Sequence, residues 1–547
     1  MNRAKNAPKT KNQKNLFFSG VLILTFSNIL IKVIGLLFKI PITNIIGDEG
    51  MGYFNLTYVI YVWFYQISTS GLPTAVSVMT SEARAKGNVG EVKRIFRVSL
   101  TMFLVIGLAG MLIMMIGSHG FAALMASPEI NWCIIAIAPT LFFICISSAI
   151  RGYFQAYQNM APTAVSQIIE AVGKMALGII FALYGMACGY PLPTVAALAI
   201  AGLTIGAFAG MVYLVLSKLC FRSEIYDAEY INPESDKMAV RTSGKLLGSL
   251  AGIAIPITIA ASMPSLTSLL DGTIIVRCLE TAGMLHTKAV AAYGNYTALA
   301  IPMFNLPPVL IYPISYSLIP LLKATITRGN REEVERITNA AIRTVMLIIT
   351  PCAFGLSAMA EPILLMLYRR DSAVQAAPLL SVLAPACMFV GLLSITNAIL
   401  QSHGYERKPI ISMLIGSGVK LGASVILVSR PAIGIYGAPI GTVLCYLTIA
   451  VCDFYFLKKY AGVSLRVLGG IIKPMISGIG AGASARLIYQ LLLDFLPGRL
   501  CTVIGIMTAV AVYVILILFL RGFTKDELEL IPKGERIYNV MHRLKLM

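Results

Sequence analysis

Long apolar runs recur along the whole chain, and they restrict its fold more than any other feature of the sequence. Many of them reach the roughly 20 residues that a helix needs to cross the hydrocarbon core of a bilayer. Because lipid offers no hydrogen-bond partner, the backbone of a spanning segment must bond internally, which favours helices. With 57% hydrophobic and only 13% charged residues, the sequence predicts an all-α integral membrane protein.

We predict fourteen transmembrane helices, called spans 1 to 14 in chain order. The first span, about residues 17–41, is too long for a signal peptide and lacks a small-residue cleavage site. No soluble domain of useful size is left between the spans. They cover about residues 17–41, 52–79, 96–117, 132–156, 162–187, 193–217, 246–272, 290–322, 340–359, 376–400, 409–429, 436–457, 467–491 and 501–520.

The net charge of +19 follows the membrane topology and does not form a nucleic-acid-binding patch. With the amino terminus in the cytoplasm, most basic residues fall in the cytoplasmic loops, which is the positive-inside rule. We therefore expect a multi-pass plasma-membrane protein with both termini in the cytoplasm and no nucleic-acid partner. The ten cysteines lie almost all inside predicted spans without CxxC spacing, so we expect packing residues and no metal site.

A nine-residue phrase occurs twice and indicates an internal duplication. GNVGEVKRI at residues 87–95 returns as GNREEVERI at residues 329–337, a shift of 329 − 87 = 242 residues. The motif GYFN at residues 52–55 returns as GNYT at residues 294–297 with the same shift. A repeat this long is a duplicated bundle of helices, as many transporters contain. We expect each copy of the phrase to cap the helix that follows it.

The duplication predicts two six-helix lobes, an N-lobe over residues 17–217 and a C-lobe over residues 246–457. Because six is an even number, both lobes enter the membrane from the same face, so the repeats are parallel. The remaining segments are expected to be a basic cytoplasmic amino terminus, a cytoplasmic linker, the pair of spans 13 and 14, and a cytoplasmic tail. In chain order these are residues 1–16, 218–245, 458–520 and 521–547.

Two spans have an unusual composition. Span 13 contains the small-residue run SGIGAGAS at residues 477–484, which favours close helix packing or, alternatively, a shallow groove for a lipid chain. Span 8 contains the proline-rich run PMFNLPPVLIYPISYSLIP at residues 302–320. Prolines remove helical hydrogen bonds, so this run predicts a permanently irregular helix or, alternatively, one that bends during transport.

Charged residues inside the spans mark the candidate site, because a charge at membrane depth is costly and usually faces an aqueous cavity. The sequence has no Walker loop, GxSxG or HExxH motif, so we expect no enzyme and no cofactor. The candidate cavity residues are Lys32 and Lys39 of span 1, Glu170 and Lys174 of span 5, Asp271 and Arg277 at the end of span 7, and Lys420 of span 11.

The spacing of these residues favours an anion-binding cavity. Glu170 and Lys174 stand at i,i+4, in the order that favours an ion pair. Lys420, the equivalent of Lys174 in the second half, has no matching acid. Lys32 and Lys39 are seven residues apart and share a face of span 1. The structural alternatives are an isolated Glu170–Lys174 pair and snorkelling of Lys39 to the interface. The set is more basic than acidic, which suits phosphate.

Three stretches carry a family resemblance: SNILIKVIGLLFKIPITNIIGDEGMGYFNLTYVIY, SGLPTAVSVMTSEARAKGN and RGYFQAYQNMAPTAVSQIIEAVGK, at residues 27–61, 70–88 and 151–174. The chain resembles, over essentially its whole length, the polysaccharide-transport branch of the multidrug/oligosaccharidyl-lipid/polysaccharide (MOP) exporter superfamily. Within that branch it is similar to the SpoVB/YtgP group, which is related to the MurJ lipid II flippases. The resemblance implies two lobes in a V shape as in MATE and MurJ proteins, alternating access, a basic cavity for a diphosphate-linked oligosaccharide, and a prenyl-tail groove on spans 13 and 14.

The chain also departs from the family pattern. MurJ proteins of Gram-negative type carry an arginine in the second helix and an acidic–basic pair in the eighth. Here residues 53–79 and residues 289–322 contain no charge at all. This difference shifts the expected substrate contacts to Lys174 and Lys420.

We therefore expect a flippase that moves an undecaprenyl-diphosphate-linked oligosaccharide, in the first instance lipid II for peptidoglycan synthesis, from the inner to the outer leaflet. Coupling to the membrane potential or a monovalent ion is expected, in a monomer that works with the cell-wall synthesis machinery. One alternative is a flippase for another lipid-linked polysaccharide, of capsule, teichoic or spore type. Another is a cation-coupled multidrug exporter, which predicts acidic cavity residues on spans 1, 7 and 8, where only Asp271 qualifies.

Overall fold

Every element in the described part of the chain is a helix, which confirms the all-α prediction. The computed structural model describes residues 10–220, 241–461 and 468–520. The helices of the first half are α1 (Thr10–Thr69), α2 (Leu72–Ala85), α3 (Val89–Ile116), α4 (Ser118–Leu124), α5 (Asn131–Ala156), α6 (Ala161–Ala187), α7 (Leu192–Cys220) and α8 (Ser243–Thr281). Those that follow are α9 (His286–Gly294), α10 (Ile301–Phe304), α11 (Leu306–Val309), α12 (Tyr312–Thr327), α13 (Arg331–Ala358), α14 (Ala360–Leu367), α15 (Arg370–Leu383), α16 (Ala386–Ser402), α17 (Lys408–Val428), α18 (Gly437–Phe456), α19 (Leu468–Leu492) and α20 (Gly498–Phe519).

The number of membrane crossings agrees only partly with the fourteen predicted. Ten described helices are long and apolar enough to cross a membrane, or twelve if each of two bent pairs is one span. The exact count of fourteen therefore stays a prediction. Parts of the predicted organisation lie outside the described residues, namely 1–9 of the amino terminus, 221–240 of the linker, 462–467 before span 13, and the tail 521–547.

Span 1 and most of span 2 lie in α1, which is 60 residues long, and the end of span 2 lies in α2. At 1.5 Å per residue such a helix measures about 90 Å, three times the roughly 30 Å hydrocarbon core. Gly47 divides it, with φ 70° and ψ −172° in the middle of the helix. Glycine adopts this positive φ without the steric cost that a Cβ would bring. The break explains how one helical segment can contain two predicted spans.

The repeated phrase caps a helix in each half, as predicted. The side-chain oxygen of Asn88 accepts a hydrogen bond from the backbone N–H of Glu91 at 2.9 Å, at the start of α3. Asn330 accepts from the N–H of Glu333 at 3.2 Å, at the start of α13. The glycine before each asparagine has a φ of 71° or 73°, which is typical of the residue that ends a helix. The phrase is thus a turn between helices in both copies.

The chain separates into two compact units, Met1–Thr273 and Ile274–Met547. The boundary lies inside α8, so all of span 7 (residues 246–272) belongs to the first unit, whereas the predicted C-lobe begins at residue 246. A close backbone approach accounts for this: a Cβ at Gly71, between α1 and α2, would lie 2.2 Å from the carbonyl oxygen of Ala254 in α8.

Small residues bring α5, α6 and α7 of the first unit close together. A Cβ at Gly202 of α7 would lie only 2.3 Å from the backbone nitrogen of Gly178 in α6. The hydroxyl of Thr140 in α5 lies 2.7 Å from that of Thr204 in α7. Contacts of this kind drive helix association where lipid surrounds the bundle. They fix the helices that carry the candidate site.

Span 8 of the second unit is irregular, as its proline content predicts. It consists of α9, a π-helix over Asn295–Ala300, the short helices α10 and α11, and then α12. Prolines stand in the first turn of α10, α11 and α12, where their missing N–H groups leave no helical bond unmade. Tyr296 in the π-helix places its hydroxyl 2.9 Å from the Thr442 hydroxyl of α18.

The small residues of span 13 pack helices together, which is the first of the two interpretations given above. A Cβ at Gly482 of α19 would lie 2.8 Å from the Phe354 carbonyl oxygen of α13. A Cβ at Gly480 would lie 2.7 Å from the Leu516 side chain of α20. A groove for a lipid chain on these helices stays a prediction.

Candidate functional site

A cavity of about 250 Å³ lies in the first unit, among α1, α5, α6 and α7. It has an aromatic wall and a polar wall, and the polar wall carries three charges. Charged side chains between membrane-spanning helices are rare unless they serve a pathway or a binding site. The aromatic wall is formed by Phe38, Tyr58, Tyr61 and Tyr65 of α1, and the polar wall by Arg151 of α5 and Gln167, Glu170 and Lys174 of α6.

An ion pair between α5 and α6 dominates the polar wall. Arg151 is only 7% exposed, and its Nη2 lies 3.2 Å from Oε2 of Glu170. Its Nε donates a hydrogen bond to the Ser166 hydroxyl, also at 3.2 Å. That hydroxyl donates in turn to the backbone carbonyl of Thr163. The guanidinium is therefore held from two directions, and the carboxylate balances its charge.

Lys174 has a different environment from the one that its spacing predicts. Glu170, one turn earlier, pairs with Arg151, and the ion pairs of the described residues do not include Lys174. The Lys174 ammonium lies 4.9 Å from the ring centroid of Tyr58 and 5.2 Å from that of Phe38. These are cation–π distances. Aromatic faces hold the ammonium in place without neutralising its charge.

Four aromatic rings form a ladder along α1. The ring centroids of Phe54, Tyr58, Tyr61 and Tyr65 follow one another at 6.0, 5.8 and 6.0 Å. Their spacing of three or four residues places them on one face of the helix. Three of these tyrosines line the cavity, and within the described residues the buried Oε1 of Gln167 has no hydrogen-bond partner. The cavity therefore offers polar groups that a ligand can satisfy.

Of the other predicted site residues of the first unit, Lys39 lies beside this cavity, whereas Lys32 and Asp271 do not line it. Lys39 on α1 is half-buried and close enough to Lys174 for the two charges to repel. Lys32, two turns earlier, is exposed. Asp271 of α8 is buried, at 7% exposure. Neither Lys32 nor Asp271 lines the cavity, so the structure brings together Glu170 and Lys174 of the predicted set, with Lys39 beside them.

Two predicted site residues belong to the second unit. Arg277 is exposed near the end of α8. Lys420 is half-buried in α17, close enough to Tyr446 of α18 for the ammonium and the phenol to interact electrostatically.

Another charged residue of the second unit, Asp453 of α18, is more deeply buried. It has no exposed surface and accepts hydrogen bonds from Thr396 at 2.8 Å and Ser412 at 2.5 Å.

Sequence reasoning missed several residues that line the cavity. Arg151 falls inside the predicted span over residues 132–156, and an arginine at that depth is itself a signal of function. The same signal applies to Asp453 in the span over residues 436–457. The tyrosines had a helical spacing, but an aromatic stripe of that kind is equally typical of a packed core. Gln167 had no signal in the sequence.

Family models match most of the chain. The model described as polysaccharide biosynthesis protein matches residues 17–326, which is more than half of the chain. A second model, described as MatE, matches residues 278–426.

Curated relatives align with this chain over most of its length. The stage V sporulation protein B of Bacillus subtilis (strain 168) is 26% identical over 532 residues, which covers 95% of this chain and 98% of that protein. The lipid II flippase MurJ of the same strain is 24% identical over 520 residues, which covers 90% of this chain and 92% of that protein.

Solved structures show the same fold. Lipid II flippase MurJ in an inward closed conformation has a TM-score of 0.68 and 14% identity, covering 92% of this chain and 99% of that one. An inward-facing MATE family transporter of the MOP superfamily has a TM-score of 0.65 and 16% identity, covering 80% and 97%. These likenesses confirm the predicted MATE- and MurJ-like helical architecture.

Proposed function

We propose a transport function from the premise that this chain belongs to the polysaccharide biosynthesis protein family, in the polysaccharide-transport branch of the MOP exporter superfamily. Its fold is that of membrane transporters and not of enzymes, and its apolar helices make it a multi-pass membrane protein. The proposed activity is the movement of an undecaprenyl-diphosphate-linked oligosaccharide from the inner to the outer leaflet by alternating access. Lipid II, for peptidoglycan synthesis, is the first proposed substrate, as for the relative named lipid II flippase.

The observation that carries this proposal is the charge of the cavity in the first unit. Two cations, Arg151 and Lys174, share its wall with one carboxylate, Glu170, which leaves a net charge of +1. An ammonium binds phosphate oxygens through charge-assisted hydrogen bonds. Such a cavity suits a diphosphate headgroup with polar sugars, while the prenyl tail stays in the lipid. A cationic drug would meet repulsion there, so the multidrug alternative is not favoured.

The membrane potential is the proposed driving force. The cytoplasm is electrically negative, so outward movement of an anionic headgroup releases about 2.3 kcal/mol per charge per 100 mV. Coupling to a monovalent ion is the alternative, and neither scheme uses a cofactor. The proposal also includes cytoplasmic termini and a monomer that works beside the cell-wall synthesis machinery.

Depletion and complementation test the proposal. Depletion should shift lipid II towards the inner leaflet, measured with a leaflet-specific label. In a strain that lacks other lipid II flippases, Lys174→Ala, Lys420→Ala and Lys32→Ala should each reduce growth while protein levels hold. Lys174→Arg keeps the charge and serves as the matched control. Full growth of the triple alanine variant, or an unchanged leaflet distribution after depletion, would contradict the proposal.

A second candidate substrate is another lipid-linked polysaccharide, of spore, capsule or teichoic type. It is favoured by the 26% identity with stage V sporulation protein B, over 95% of the chain. This candidate predicts that depletion abolishes one such polymer and leaves lipid II in its normal distribution. The same depleted cells therefore separate the two substrates.

A further inference from the structure

We propose that the cavity of the first unit is divided, with a pocket for the saccharide of the substrate and a separate position for the diphosphate at Lys174. The inference rests on the proposed transport of a lipid-linked oligosaccharide and assigns parts of that substrate to parts of the site. The term saccharide pocket is used for the group formed by Tyr58, Tyr61, Arg151, Gln167 and Glu170.

The aromatic wall suits a sugar ring. A pyranose has apolar C–H faces and an edge of hydroxyl groups. Tyrosine presents a flat apolar body with a polar tip, which matches both features. Tyr58 and Tyr61 stand on one face of α1 with ring centroids 5.8 Å apart, and both line the cavity. A ring that stacks on this surface can exchange hydrogen bonds with both hydroxyls.

The polar wall contains acceptors that hydroxyl groups can satisfy. The buried Oε1 of Gln167 has no hydrogen-bond partner. A buried acceptor in this state costs about 1–3 kcal/mol, which a hydroxyl donor from a ligand would recover. Arg151 hydrogen-bonds Oε2 of Glu170, so the second carboxylate oxygen is available to accept. A small number of placed polar groups in a mostly apolar pocket is the usual composition of a specific small-molecule site.

The negative charge of Glu170 favours a position for the diphosphate outside the saccharide pocket, at Lys174. The Arg151 guanidinium is already balanced by Glu170 at 3.2 Å, and the carboxylate would repel a phosphate. Lys174 lies one turn further along α6, about 6 Å from Glu170 and about 10 Å from Gln167 along the helix axis. Its ammonium is held by the rings of Phe38 and Tyr58 and not by a carboxylate, so the diphosphate position adjoins the saccharide pocket at Tyr58. A substrate with adjacent sugar and diphosphate parts can therefore occupy both positions.

Binding of two probes to the purified full-length protein in detergent tests the division. The probes are lipid II and undecaprenyl diphosphate, which lacks the sugars. The wild type should bind lipid II more tightly than undecaprenyl diphosphate. Gln167→Met and Tyr61→Phe should each weaken lipid II binding by roughly tenfold, the upper range for loss of one hydrogen bond, and leave undecaprenyl diphosphate binding unchanged. Lys174→Ala should weaken both.

The variants are chosen to keep the fold. Gln167→Met and Tyr61→Phe preserve side-chain size, and Tyr184→Phe, at an exposed tyrosine of α6 outside the cavity, is the matched control that should bind both probes normally. Equal losses for both probes, or equal affinity of the wild type for them, would overturn the saccharide pocket and leave the transport proposal standing. An unchanged lipid II distribution after depletion would contradict the proposed transport of lipid II alone. The affinities for lipid II and undecaprenyl diphosphate are measured on the purified protein, so they do not depend on that result.

Discussion

Arg151 and Glu170 are held together by a partly buried ion pair whose two members come from different helices. Removal of one partner leaves the charge of the other without a counter-ion and with little access to water. We expect Arg151→Met to destabilise the protein by about 3 kcal/mol, the lower end for a broken buried pair, since 30% of the Glu170 side chain is exposed. The thermal unfolding midpoint in detergent measures this loss.

Two further variants separate charge from packing. Arg151→Met/Glu170→Met leaves no stranded charge and should recover most of the lost stability. Lys174→Met removes a cation of the same cavity without stranding a carboxylate and loses only cation–π contacts, so its effect should be about 1 kcal/mol. If Arg151→Met were as stable as Lys174→Met, the ion pair would not have the structural role described here.

The sequence predicted which residues of the site carry charge better than it predicted their partners. Glu170 and Lys174 were recognised as polar residues at membrane depth, and both line the cavity. Their i,i+4 spacing favoured a pair within α6, yet Glu170 pairs across to α5. Whether Glu170 pairs with Lys174 or with Arg151 depends on the distance between α5 and α6. Helical periodicity contains no information on the distance between two helices.

The contact between α6 and α7 depends on glycine. A Cβ at Gly202 would meet backbone atoms of Gly178 at 2.3 Å and 2.6 Å, and backbone cannot rotate out of the way. We expect Gly202→Ala to force the helices apart at a cost of about 1–3 kcal/mol, the usual range for overpacking. A lower unfolding midpoint and weaker lipid II binding would report the change, because α6 carries Gln167, Glu170 and Lys174.

Gly252 of α8 supplies the matched control for this prediction. Nothing lies within 4 Å of a Cβ built at Gly252, so Gly252→Ala should be neutral or slightly stabilising. Equal effects of the two substitutions would show that helix propensity, and not the contact between α6 and α7, determines the outcome at Gly202.

Local sequence signals predicted the helices well and their continuity less well. The prolines of span 8 predicted its breaks, and the repeated phrase predicted a cap on α3 and on α13, because both effects depend on neighbouring residues in the chain. The merger of span 1 and most of span 2 into α1 and the unit boundary inside α8 were not predicted. The boundary depends on a contact between Gly71 and Ala254, which are far apart in sequence.

The two units bury charges of opposite sign beside equivalent serines. Ser166 and Ser412 are related by a shift of 412 − 166 = 246 residues, the same as Lys174 and Lys420 (420 − 174 = 246). Ser166 accepts a hydrogen bond from Arg151, whereas Ser412 donates one to Asp453. A hydroxyl can do either. The equivalent serines therefore have different partners, a cation of α5 for Ser166 and an anion of α18 for Ser412.

Because Arg151 and Asp453 lie in different units, substitutions at these two residues should change the free energy of unfolding independently. Asp453→Leu should cost about 1–3 kcal/mol, because the hydroxyls of Thr396 and Ser412 lose their shared acceptor. Arg151 and Asp453 share no partner, so the double variant Arg151→Met/Asp453→Leu should show the sum of the two losses within about 0.5 kcal/mol. Unfolding midpoints of the single and double variants measure this. A clear departure from the sum would indicate that the two charges are coupled.

The sequence by itself determined the membrane class, the helical composition, the duplication and the family. Each of these depends on runs, spacings and repeats, which are properties of the chain order and of the cost of exposing backbone to lipid. Only the tertiary structure decided that Glu170 pairs with Arg151, that Lys174 rests on Phe38 and Tyr58, and that tyrosines of α1 line one cavity with Gln167 of α6. These contacts depend on the distance and rotation between packed helices, which small residues such as Gly202 set in three dimensions.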